Sequence, residues 1–264
     1  METLRVGLAQ ITALPGDVTG NAHAAAQTVK EAADAGAALA VFPELSLIGY
    51  DLALLADPTL VITADDARLD PVREAARETG VTAVVSGAYR HPGGGLWIAA
   101  LAAKPDGTLL PQGKRHLHGP ERDVFDPAPQ GPLLDVHGWR VALAVCYDAG
   151  VPAHAADAAR QGAEVYAASV LYDRAEERRF DVHLASRAMD HRMYAVAANY
   201  AGGPGAGLGP GWESCGGSGA WAPDGRRLTA AGAAPALVIA DLDRAPLDAL
   251  RAKDADAGYP RGTA

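Results

Sequence analysis

The chain has 264 residues, 49% of them hydrophobic, and a formal net charge of −9. That length and apolar share allow a sizeable core in one large domain or two small ones. No basic cluster is present to neutralise a phosphate backbone, which argues against nucleic-acid binding, and no apolar run approaches the ~18 residues of a membrane span.

In chain order, residues 4–10 alternate well enough for a first strand. Asn21 reads as the N-cap of a helix over 22–35, with Gly36 at its end. Residues 38–42 form a short apolar strand that delivers Pro43 and Glu44, and the chain then loops through Gly49-Tyr50-Asp51. Asp70-Pro71 starts a helix where proline is tolerated, and Gly80 ends it. Residues 81–89 are strand-like. Residues 96–103 and 108–111 read as a hairpin about Pro105-Asp106-Gly107. A polar stretch, 112–129, carries charges without a clear period. Residues 133–136 precede an unbroken apolar run, 141–145, that ends in Cys146. Such a run reads as a strand buried on both faces.

A helix over 152–161 follows, then a strand over 163–170. Residues 173–192 are the longest helix candidate, with Arg174, Glu176, Glu177 and Arg178 in its first turns. A strand over 194–199 leads to a glycine-rich loop, 202–219, that holds Cys215. Residues 219–223 and 236–242 look like closing strands. Residues 246–253 suggest a short terminal helix, and 254–264 a loose tail. Helices and strands alternate throughout with no linker between them, so the expectation is one α/β domain over residues 1–264.

Cys146 and Cys215 are the two cysteines, and neither has metal-site spacing with histidine or a second thiol. A reducing compartment fits, and residues 1–10 lack the pattern of a signal peptide, so a cytoplasmic location is expected. Lysine is scarce: Lys30, Lys104, Lys114 and Lys253 stand against nineteen arginines. Where lysine survives such a bias, chemistry is a reason to look at it.

Glu44 and Cys146 stand at the ends of apolar segments, in the position where α/β folds present reactive groups. Lys114 lies in the loop stretch between them, and Glu121 comes seven residues after Lys114. Taken singly, each has a plain alternative. Glu44 suits a loop cap, Lys114 a surface charge, Glu121 a partner for Arg115 or Arg122, and Cys146 a buried structural thiol.

Taken in order, the set resembles the nitrilase superfamily of carbon–nitrogen hydrolases. The residues that carry the resemblance are Val41-Phe42-Pro43-Glu44 with Gly49-Tyr50-Asp51, Lys114-Arg115-His116-Leu117 with Glu121, and Val145-Cys146-Tyr147-Asp148. Arg187-Ala188-Met189-Asp190 and Gly216-Gly217-Ser218 also match. The resemblance implies a four-layer α-β-β-α sandwich that pairs into homodimers or larger homo-oligomers. It implies that Cys146 is the nucleophile and Glu44 its base. Lys114 and the backbone N–H of Tyr147 would hold the tetrahedral oxygen, each such donor typically worth about 3 kcal/mol. Glu121 would position Lys114 or the substrate. Tyr50, Ser169 and Tyr172 are further candidates for the pocket wall. Lys114 takes the place of a Lewis acid, so no metal and no cofactor is expected.

The sequence departs from the family pattern after Cys146, where Ala153 follows Pro152 and many relatives carry glutamate. Ser214 stands where an aromatic is common before the Gly-x-Ser motif, and Leu171-Tyr172 where a tryptophan is common. The function implied is thiol-dependent hydrolysis of a small linear amide to a carboxylate and ammonia. The alternatives are N-carbamoyl amide hydrolysis, nitrile hydrolysis, acyl transfer to an amine, and a non-catalytic binding protein on the same fold. His183, His191 and Cys215 are read as surface, interface or incidental residues.

Overall fold

The computed structural model describes residues 2–203 and 207–258. In chain order the elements are β1 (Thr3–Gln10), α1 (Val18–Asp34), β2 (Leu39–Val41), α2 (Asp70–Thr79), β3 (Thr82–Arg90), β4 (Leu96–Ala103) and β5 (Leu109–Gly113). Then come β6 (Leu134–Val136), β7 (Trp139–Val145), α3 (Tyr147–Gly150), α4 (Pro152–Arg160) and β8 (Val165–Ser169). The last are α5 (Glu177–His191), β9 (Tyr194–Ala198), β10 (Gly219–Trp221), β11 (Arg227–Ala230), β12 (Ala236–Asp243) and α6 (Arg244–Asp256).

Among the described residues the strands form two six-stranded sheets. One has the order β12-β1-β2-β3-β4-β5 and the other β11-β10-β9-β8-β7-β6. Period-two alternation explains how they stack. Val141, Leu143 and Val145 of β7 face the other sheet, together with Val165, Val196, Leu4, Val6, Leu8, Val41 and Ile98. The intervening residues face helices. Ala9, Ala40, Ala83 and Ala99 pack under α1 and α2, while Ala142, Ala144, Ala168 and Ala195 pack under α4 and α5. Branched side chains fill the space between the sheets, and alanines let helices approach the outer faces. The result is the expected layering of helices, sheet, sheet and helices.

The strand directions bring distant residues to one edge. β1, β2 and β3 run parallel. β5 is two antiparallel steps from β3, so it runs the same way. The carboxyl ends of β2 and β5, which deliver Glu44 and Lys114, therefore open on the same side. In the other sheet β7, β8 and β9 are parallel and deliver Cys146, Val170 and Asn199.

Several boundaries differ from expectation. Asp17 caps α1 by accepting from the amide of Gly20. Asn21 lies inside the helix, where its side chain bonds both backbone groups of Leu14 and the carbonyl of Leu47. The first turn of the 173–192 stretch is a 3-10 turn, Arg174–Glu176, and α5 begins at Glu177. The polar 112–129 stretch contains another 3-10 turn, Gly119–Asp123, which carries Glu121. The tail expected to be loose from residue 254 continues α6 as far as Asp256; residues 259–264 lie outside the described residues. No helix among the described residues is long and apolar enough to cross a membrane.

Trp139, at the start of β7, is fully buried between the sheets. It meets Tyr194 edge-on at 6.2 Å, and the Arg244 guanidinium sits 4.3 Å from its ring centre. Trp139→Ala would leave a cavity where the two sheets and α6 meet. A loss of about 3–5 kcal/mol in unfolding free energy is expected, measured by urea denaturation followed by circular dichroism.

Candidate active site

Glu44 follows β2 through Phe42 and Pro43. The turn behind it is held by Ser86 of β3, whose hydroxyl accepts from the Leu45 amide at 3.0 Å. Leu45 is left-handed, with φ 50°. From the other sheet, the Tyr200 hydroxyl donates to the Glu44 carbonyl at 2.7 Å. The side chain is thus aimed from a backbone gripped on both sides.

Lys114 directly follows β5. Its Nζ donates to Glu44 Oε1 at 2.7 Å and to Glu121 Oε1 at 2.7 Å. All three side chains are 0% exposed, so the ammonium's charge is met by these two carboxylates and not by bulk solvent. An ammonium has three N–H donors; two are spent on the carboxylates, and one remains. Burial opposes the charge on Lys114, but Glu44, Cys146 and Glu121 outweigh it and raise its pKa. The lysine stays protonated.

Glu121 is fixed on every side. Its Oε1 also accepts from the Tyr50 hydroxyl at 2.8 Å, and its Oε2 from the His118 amide at 2.7 Å. Tyr50 is held protonated by burial beside Glu44 and Glu121, so it serves only as a donor to Glu121.

Glu44 is the less satisfied carboxylate. Its Oε2 has no hydrogen-bond partner within ordinary limits, yet the Cys146 thiol is close enough to pull its pKa down. The larger influences are burial, which raises the pKa, Lys114, which lowers it, and Glu121, which raises it; the balance is about 7. A carboxyl poised there can both take and return a proton near neutrality.

Cys146 ends β7 at φ 45° and ψ −100°, a sparsely populated conformation that costs of order 1–3 kcal/mol. The sharp turn sends its side chain out of the sheet while the chain enters α3. The Cys146 amide donates to the Ser169 carbonyl at 2.9 Å, and Sγ lies 3.2 Å from the Leu171 carbonyl. Burial and the negative charge of Glu44 push the thiol pKa well above its ordinary value, against the pull of Lys114. The sulfur therefore rests protonated, and to act as a nucleophile it would first have to hand its proton to a neighbour. Tyr147 is the first residue of α3, so its amide has no acceptor within the helix.

Asp148 joins the Lys114 loop to the Cys146 turn. Its buried carboxylate accepts from the amides of Arg115, His116 and Val145 at 3.1, 2.9 and 3.1 Å, and meets His116 Nδ1 at 2.9 Å. Burial works against its charge, but the His116 hydrogen bond and the fields of His154 and Lys114 hold its carboxyl below the usual range. The sequence displays Asp148 only as the third residue of Cys-Tyr-Asp; that adjacency was the one available signal of its importance.

These groups open on a cavity lined by Glu44, Glu121, Cys146, Tyr50, Tyr147 and Tyr172 among others. Tyr172 stacks on Phe180 at 4.8 Å, and its hydroxyl meets His183 Nδ1 at 3.0 Å. Ser169, the other candidate for the wall, does not line the cavity. It is the last residue of β8, with its hydroxyl buried and unpartnered and its carbonyl engaged by Cys146. His118, Glu176, Arg179 and Trp212 do line the cavity. They come from loops and a helix start whose placement no local pattern shows. Cys215 sits off the cavity and receives the Asn199 side-chain amide at 3.3 Å. Among the described residues no group of three or more His, Cys, Asp or Glu side chains is arranged to hold a metal ion.

The family model for carbon-nitrogen hydrolases matches residues 5–252. A Pseudomonas protegens protein named for a hydrolase in the pqqF 5′ region is 32% identical over 251 residues, which is 92% of this chain and 84% of that protein. The crystal structure of an amidase from Nesterenkonia sp. superposes with a TM-score of 0.80 at 30% identity, covering 97% of this chain and 96% of that one. A double mutant of that amidase was solved in complex with acrylamide. Saccharomyces cerevisiae Nit3, a member of the nitrilase superfamily, shares the fold with a TM-score of 0.86 at 19% identity, over 96% of this chain and 94% of that one. With its two stacked sheets, its flanking helices and a match that runs nearly end to end, the chain belongs to the carbon–nitrogen hydrolase family and is a carbon–nitrogen hydrolase.

Proposed function

We propose that this hydrolase cleaves small primary amides to a carboxylate and ammonia through a thioester on Cys146. The observation that carries the reading is the buried chain Glu44–Lys114–Glu121 beside the Cys146 sulfur, with one Glu44 oxygen and one lysine N–H uncommitted. The likeness to the Nesterenkonia amidase supports an amide over a nitrile.

The steps follow from these groups. Glu44 Oε2 takes the Cys146 proton as the sulfur bonds to the carbonyl carbon, and the carbonyl π pair moves to oxygen. That oxygen meets the third N–H of Lys114 and the amide of Tyr147. Collapse breaks the C–N bond, and the proton on Glu44 goes to the departing nitrogen, which leaves as ammonia. Water then attacks the thioester while Glu44 takes its proton. The C–S bond breaks, the acid leaves, and the proton returns to sulfur. Each transfer uses the same carboxylate in alternating states, which suits a pKa of about 7. Glu121 and Tyr50 keep the ammonium in place while its third N–H follows the growing charge.

Cys146→Ala should lower kcat for ammonia release by at least about a thousandfold. Mass spectrometry of the wild-type protein quenched during turnover should show one acyl adduct, and that adduct should map to Cys146. Undiminished turnover in the variant would exclude the mechanism.

The pH profile gives a second check. Glu44 must be ionised to accept the thiol proton, so kcat/KM should rise with pH through about 7 and fall by about tenfold per pH unit on the acid side. Glu121 raises the Glu44 pKa. Glu121→Gln should therefore move the acid limb to lower pH while also lowering kcat, because Lys114 loses a fixed partner. An acid limb that stays put or moves upward would remove Glu44 from the role of base.

A further inference from the structure

The catalytic cavity shares its aromatic wall with a second space. Tyr50, His118 and Trp212 line both. The remaining walls of the second space include Leu52, Ala53, Pro120 and Pro210. We propose that this outer space is a subsite for the acyl arm of the substrate, and that it selects an uncharged apolar arm, aryl-tipped or extended alkyl. The proposal rests on the amide-hydrolase reading, since it assigns the arm to the group that stays on Cys146 after ammonia leaves.

Three observations converge on it. First, the partition is built. Tyr50 is pinned through its hydroxyl to Glu121 at 2.8 Å and meets Trp212 edge-on at 5.2 Å. Its carbonyl receives the Gly209 amide at 2.8 Å, and Tyr50 pairs with Leu208 in a parallel bridge. The catalytic wall and the outer wall are therefore opposite sides of the same residues.

Second, the other exit from the catalytic cavity is polar. Glu176 and Arg179 both line it, and they pair with each other at 2.7 Å. An apolar arm directed there would desolvate an ion pair with nothing in return. Directed past Trp212, it meets aromatic faces, leucine and proline.

Third, the outer space suits no anion. Neither lysine nor arginine lines it among the described residues. Its one carboxylate, Asp51, is engaged by the Ala53 amide at 3.0 Å as the cap of a short 3-10 helix. A terminal carboxylate on the substrate would face that charge with no partner of its own. Half-buried Leu52 and Trp212 instead leave apolar surface open beside the reactive centre, a common mark of a binding site.

Binding to Cys146→Ala protein tests the subsite without turnover. Isothermal titration with 5-phenylpentanamide should give a Kd at least about tenfold below that of propionamide. 6-Carbamoylhexanoate, of similar reach but with an anionic end, should bind no more tightly than propionamide. Adding Ala53→Trp, at an exposed position whose new ring would fill the outer space, should bring the two neutral amides within about threefold of each other. Leu52→Gln, which makes the wall polar without filling it, should reduce the preference as well. Equal affinity for the two neutral amides, or a preference that survives both substitutions, would overturn the proposal. Ammonia release by the wild-type protein is scored separately. Tight phenylpentanamide binding without any hydrolysis would remove the amidase reading and leave the subsite standing.

Discussion

A lysine ammonium buried out of reach of bulk solvent is the constraint on which the site depends. Moving such a charge out of solvent costs several kcal/mol even after relaxation. The structure offsets that cost with two carboxylates at 2.7 Å, each drawn from a different stretch of chain. Two negative charges and one positive leave an excess, and the excess is expressed on the carboxyl that has fewer donors. Glu121 has Tyr50 and the His118 amide as well as Lys114. Glu44 has Lys114 and an idle oxygen, so Glu44 carries the raised pKa. The same arithmetic of donors and acceptors that keeps the lysine charged also prepares a proton acceptor beside a thiol.

The fold's contribution is direction. Three strands from two sheets, β2, β5 and β7, end near one another, so residues separated by about a hundred positions share one rim. The inner faces of those strands are branched and interlocked, which gives the rim a stiff foundation. The irregular backbone is concentrated at its edge. Leu45 and Cys146, both at positive φ, are the turns by which extended chain releases a reactive side chain. Conformations of that kind persist only where surrounding contacts over-determine them. Here the Ser86 hydroxyl, the Ser169 carbonyl and the Asp148 carboxylate supply those contacts.

Much of this was legible in the residues. The unbroken run into Cys146 announced a strand buried on both faces, and 38–42 announced another that ends at Glu44. Gly80 stands left-handed at the end of α2, as its position suggested. Other features were hidden for identifiable reasons. Asp17 and Asn21 are both good capping types, and the tertiary link of Asn21 to Leu47 decided between them. β11 is short and only half-buried, so Arg227-Leu228-Thr229-Ala230 carried no clear period. Glu121 lay in a stretch without rhythm because its 3-10 turn is held by contacts to Lys114 and Tyr50, not by a buried face. Ser169 occupies a strand end beside the cysteine, yet the cysteine's own amide and the core claim its surroundings. Trp212, Glu176 and Arg179 reach the cavity only after distant segments have met, which no local pattern can display.

The Asp148 carboxylate and the Tyr200 hydroxyl have a consequence beyond positioning. Asp148 lies in α3, just after the strand that delivers the sulfur, and it grips backbone that follows the sheet delivering the ammonium. Tyr200 reaches across the same seam from the same side, donating where Asp148 accepts. These are polar stitches over an oily joint that is far larger than they are. On warming, slippage of a fraction of an ångström along that joint would unlace them while each layer stayed paired within itself. Reactivity is then expected to vanish at a lower temperature than the far-ultraviolet dichroism, leaving a warm, ordered and inert molecule that recovers on cooling.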